Sequence, residues 1–129
     1  MNKTMVDKML PVAYAAIKKS GISRNGKVNK SYRGQISTLG AAITMGSIKS
    51  AICYFSEDAN NNSDVARSKL VDAIEYVLKN NPDTKNKYPH EDKLKYYVLK
   101  TDKLAEVKED IVNASIAIKL AMNLFEWEG

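Results

Sequence analysis

Leu104, Val107, Ile111, Ala114, Ile118, Ala121 and Phe125 follow one another at alternating spacings of three and four residues. A helix returns side chains to one face at that spacing, so the segment carries a continuous apolar seam that has to be buried against another helix. A second apolar line, Val112, Ile116, Leu120, Leu124 and Trp127, begins halfway along. At about 100° per residue it lies roughly opposite the seam. The last helix therefore has two faces to bury, in its own core or against a partner, and these five residues are the candidate protein interface. The same spacing recurs through most of the chain without sustained two-residue alternation, which predicts an all-α fold.

A length of 129 residues suits one domain with a real core. The spacing predicts a compact bundle of four to five helices over about 3–19, 32–55, 64–79, 91–99 and 102–127. Pro11 is expected to kink or interrupt the first, and Gly21 to end it. In ISRNGKVNKS, Asn25-Gly26 favours a tight turn and admits a tiny hairpin. The polar runs Ser56–Ser63 and Asn80–His90 read as loops. Ser31, Ser63 or Asp64, and Thr101 are the expected helix caps.

The stretch from Tyr32 to Phe55 carries no charge between Arg33 and Lys49, yet contains Gly34, Gly40, Gly46 and many alanines, serines and threonines. It is shorter than the ~20 apolar residues of a membrane span, and GAAITMGS lacks the Gly-Lys-Ser/Thr of a phosphate-binding loop. On a helical wheel its large side chains spread nearly all round, leaving only Gln35, Thr38, Ala42 and Lys49 on an open strip. That distribution predicts the central helix of the bundle, with Gly40 and Gly46 packed closely against different neighbours.

Residues 1–33 hold eight Lys/Arg against one acid. Lys18, Lys19, Arg24, Lys27, Lys30 and Arg33 occur there without an acid among them, and with Lys49 on the open strip they are the candidate nucleic-acid-binding residues. Lys85, Lys87, Lys93 and Lys95 form a weaker second patch interleaved with acids. Catalytic readings fail: His90 is the lone histidine, Cys53 the lone cysteine, and Asp72, Glu75, Glu106, Glu109 and Asp110 read as solvated helix surface. No metal or cofactor is expected, and Cys53 is expected to be buried. Asp7, Lys8 and Pro11 break up any apolar leader near the start, which points to the cytoplasm.

The block YRGQISTLGAAITMGSIKSAICYFSE, with IVNASIAIKLAMNLFE after it, resembles the small-subunit family of Cmr-type (type III-B) CRISPR effector complexes, from about Leu10 to Glu126. The resemblance implies a helical protein without a catalytic centre. Copies would stack as a minor filament beside the backbone subunits, touch the large subunit and hold guide and target RNA along a basic face. The competing expectation is a stand-alone helical adaptor that binds one protein through its C-terminal stripe.

Overall fold

The computed structural model describes residues 1–57 and 65–129. Its helices are α1 (Lys3–Lys19), α2 (Lys30–Met45), α3 (Ile48–Phe55), α4 (Ser68–Asn80), α5 (Leu94–Lys100) and α6 (Leu104–Ala121). The strands β1 (Ser23–Arg24), β2 (Lys27–Asn29) and β3 (Glu126–Glu128) form one small sheet in that order. The architecture is the helical bundle that the spacing predicts, with six helices among the described residues instead of four to five. The hairpin β1–β2 exists, and the sheet gains a third strand from residues that the helical spacing assigns to the last helix.

The centre of the bundle is α6, packed against α1, α2 and α4. Val107, Ile111, Ala114, Ile118 and Ala121 of its seam are buried, and Leu104 is half-buried. On α1, Val6, Met9, Ala13, Ala16 and Ile17 are buried, and the helix runs through Pro11 without a break. Ala13 and Ala16 on α1 and Ala114, Ala117 and Ala121 on α6 are buried, and small side chains of this kind permit close approach of packed helices. Asn113, itself buried on α6, accepts a hydrogen bond through Oδ1 from the Asn2 backbone N–H at 3.0 Å, which fixes the start of α1. The Asn2 side chain in turn caps α1 by accepting from Met5 N.

The stretch 32–55 is neither one helix nor central. α2 ends at Met45 and α3 starts at Ile48, with Ser47 Oγ accepting from Ser50 N as the new cap. α2 buries only Tyr32, Ile36, Leu39 and Ile43, while Met45 is 87% exposed. Its outer face between Gly34 and Thr44 consists of Gly34, Ser37, Thr38, Ala41 and Thr44. The three hydroxyls there donate back to Arg33, Gly34 and Gly40 carbonyls. A Cβ at Gly40 would meet nothing within 4 Å, so close packing does not explain that glycine. At Gly46 the reason is local, since a Cβ would sit 2.8 Å from the Ala42 carbonyl oxygen where α2 ends. Cys53 is exposed rather than buried, because α3 turns Ile48, Ala51, Ile52 and Phe55 inward and leaves residue 53 on the opposite side.

The remaining boundaries shift by a few residues. α4 begins at Ser68 and α5 at Leu94, and the cap expected at Ser63 or Asp64 lies outside the described residues. Asn29, not Ser31, caps α2, its Oδ1 accepting from Ser31 N. Thr101 does not cap α6, which starts at Leu104 with Lys103 in the cap position and no side-chain cap; Thr101 Oγ1 accepts instead from Lys103 N in the connection before it.

Residues 81–93 are a loop, as expected, but polar contacts hold it in place. Thr84 Oγ1 donates to Leu78 O at 2.7 Å, Lys79 Nζ donates to Asp92 O at 2.7 Å, and Glu75 accepts from Leu94 N. The Tyr88 hydroxyl donates to Asp110 Oδ2 at 2.7 Å, and Lys87 Nζ lies 3.2 Å from the same oxygen and 2.7 Å from Glu106. Asp110 is therefore no solvated surface acid; it is 6% exposed and joins the loop to the central helix. Burial, then the bond to Asp110, pushes the Tyr88 phenol well above the ordinary tyrosine range. Burial opposes the Lys87 charge, but its bonds to Glu106 and Asp110 outweigh this and raise its pKa. The Lys87 ammonium holds the Glu106 carboxyl below its usual range.

Two outcomes are expected. Gly40→Ala should stabilise the protein by up to about 1 kcal/mol through helix propensity, whereas Gly46→Ala should cost about 1–3 kcal/mol, as read by urea unfolding. For Tyr88, the folded-state pKa is raised, so its contribution is complete below about pH 10 and is lost as pH rises. Between pH 10 and 11 the stability of the unmodified protein should fall about 1 kcal/mol more than that of Tyr88→Phe, measured by unfolding at each pH. Equal slopes would sink the Tyr88 assignment.

Candidate nucleic-acid interface

Six of the eight basic residues among positions 1–33 are gathered where α1, the hairpin and α2 meet; Lys3 and Lys8 lie in the first half of α1. Lys18 and Lys19 lie exposed in the last turn of α1, where the helix dipole favours cations. Lys18 Nζ stands 4.3 Å from the centre of the Tyr14 ring, which stacks on Phe125 at 5.0 Å. After Gly21 the chain enters the hairpin, whose turn is made by Asn25 at φ 54° and Gly26 at φ 76°. Positive φ at both central residues is the requirement of a type I′ turn, which Asn-Gly meets at low cost. Ser23 pairs with Val28 and Arg24 with Lys27, so Arg24 and Lys27 emerge side by side.

Lys30 and Arg33 follow in the first turns of α2, where no acid is present. Cations at a helix N-terminus oppose the dipole by roughly 0.3–1 kcal/mol each, and the exposed amides there favour an anion. Lys27, Lys30 and Arg33 are all exposed. Positive charge has thus been placed against local stability, at the hairpin and the head of α2.

Two features divide this group in ways the sequence did not indicate. Lys49 is half-buried on α3, past the far end of α2, so about 24 Å of helix axis separates it from the hairpin. The structure does not bring it together with the other six. Second, β3 pairs in parallel with β2, setting Lys27 opposite Glu126, Val28 opposite Trp127 and Asn29 opposite Glu128. The Arg33 guanidinium lies 5.7 Å from the Trp127 ring centre. Acids thus enter a face that is free of them in sequence. The one available signal was the alternation Phe-Glu-Trp-Glu at residues 125–128, too short to override the helical period before it.

In the second patch, Lys87 is held by Glu106 and Asp110, and Lys95 Nζ lies 5.3 Å from the Tyr96 ring centre; Lys85 and Lys93 are exposed. Of the C-terminal stripe, Val112 and Ile116 are half-buried against the core, while Leu120 is 47% and Leu124 70% exposed. Trp127 leaves the stripe altogether, because α6 stops at Ala121 and the chain passes through a 3₁₀ turn, Met122–Leu124, into β3. Among the described residues no group of three or more His, Cys, Asp or Glu side chains is placed to hold a metal ion. Among the same residues no helix is long and apolar enough to cross a membrane.

Comparison with curated proteins and with solved structures returns no match. A family model described as CRISPR-associated protein (Cas_Cmr5) matches residues 7–119, which takes in the hairpin and nearly all of α6 and leaves β3 outside. With most of its length matched, the chain belongs to the Cmr-type small-subunit family of CRISPR-associated proteins.

Proposed function

We propose that the chain is a non-catalytic structural subunit of a cytoplasmic type III-B ribonucleoprotein that cleaves target RNA. In this reading copies stack in a minor filament beside the backbone subunit, touch the large subunit, and hold guide and target RNA through a basic face. The observation that supports it most is the exposed group Lys27, Lys30 and Arg33 at the hairpin and the head of α2, with Lys18, Lys19 and Arg24 beside it. A-form RNA offers proteins phosphates and 2′-hydroxyls rather than readable base edges, so dispersed cations suit it better than a reading helix. Lys49 is not part of this face. No cofactor enters the reading, and strand cleavage is left to other subunits.

Leu120 and Leu124, exposed on consecutive turns, support a protein contact on the other side of α6, with Val112 and Ile116 at its base. The same pair is what favours the second reading, a stand-alone adaptor whose lysines serve only solubility.

RNA binding separates the two. Lys27→Glu with Lys30→Glu and Arg33→Glu should lower affinity for a single-stranded RNA at least tenfold at low salt. It should also flatten the log-affinity against log-salt line by about 0.7 for each phosphate no longer held. Unchanged affinity in a folded variant removes the basic face, and absence of RNA binding by the unmodified protein at any salt favours the adaptor. Leu120→Glu with Leu124→Glu changes two exposed side chains, so stability should move by about 0.5 kcal/mol or less while co-purification with the ribonucleoprotein is lost. A folded variant that still assembles shows that the stripe is no interface.

A further inference from the structure

The feature that the proposed function leaves unused is β3, an acidic strand laid against the most basic part of the molecule. In a strand the side chains alternate between faces, and neighbouring strands lie about 4.8 Å apart. Val28 and Trp127 therefore share the inner face, where Val28 is fully buried and Trp127 half-buried. Glu126 and Glu128 share the outer face with Lys27 and Asn29, and both acids are exposed. Trp127 also occupies the flank of Arg33. The strand is short, held to the hairpin by its ladder and by the Glu126 N–H donating to Gly26 O at 3.1 Å. Just before it, Phe125 is anchored on Tyr14, and Trp127 itself packs against the core beside Val28.

From this arrangement we propose that β3 is an internal competitor for the basic hairpin: Glu126 stands across the ladder from Lys27 and Trp127 covers the flank of Arg33, where phosphates would otherwise sit, and the strand holds down the chain's own affinity for RNA. The proposal rests on the RNA-binding reading of that face. An exposed carboxylate within a Debye length of bound phosphates repels them, and salt screens the repulsion. Neutralising the acids should therefore strengthen binding most at low salt.

The experiment is titration of a fluorescent single-stranded RNA with the full chain carrying Glu126→Gln and Glu128→Gln, against the unmodified protein, from about 0.05 to 0.3 M salt. Both substitutions keep side-chain size and the ladder, and thermal unfolding checks the fold. The expected result is an affinity about three- to tenfold higher for the variant at about 0.1 M salt, with the gap closing as salt rises. A second variant, Trp127→Ala, frees the Arg33 flank and should strengthen binding without changing the net charge. If RNA binds the unmodified protein and both variants equally, the competitor role is overturned while the RNA-binding reading stands. If none of the three binds RNA, both fall.

Discussion

The core of this molecule is arranged around α6, which is covered by α1, α2 and α4. Its inward positions carry Ala114, Ala117 and Ala121 among larger residues such as Val107, Ile111 and Ile118, and all six are buried. Each large aliphatic side chain withdrawn from water contributes about 1.5–3 kcal/mol, and the alanines let the neighbours close without voids. Because three helices lean on one, small changes of position along α6 are felt by the whole bundle.

Polar groups set the register of that packing. Asn113 takes the Asn2 amide and so fixes α1, and Asp110 takes Tyr88 and Lys87 and so fixes the loop between α4 and α5. Buried polar atoms of this kind add little net energy when satisfied and are costly when left alone, which makes them suited to choosing one arrangement out of many that would bury the same apolar area.

Much of this was legible in the sequence because helical burial repeats at a fixed interval. The seam from Leu104 onward and the inner face of α1 needed only spacing. What spacing could not give was the neighbour on each side. A wheel of residues 32–55 counts Met45 and Tyr54 as core, yet both are exposed, because the break at Gly46–Ser47 resets the phase of the wheel. Asp110 looks like any helix acid until a tyrosine 22 residues away in the chain reaches it. The candidate basic face was partly legible: clustering in sequence became clustering in space for Lys27, Lys30 and Arg33, where a hairpin and a helix start share a corner. It failed for Lys49, which α2 carries away, and it missed Glu126 and Glu128, which a parallel pairing brings back from the far end of the chain.

The outer face of α2 has a consequence of its own. Between Gly34 and Thr44 its exposed residues have no side chain longer than threonine, and the hydroxyls are already turned onto the helix's own carbonyls. Long polar side chains lose up to about 2 kcal/mol of rotamer freedom when something is laid over them, while glycine and alanine lose none. Beside a corner crowded with lysine and arginine, this is the part of the surface where covering the protein freezes almost no motion.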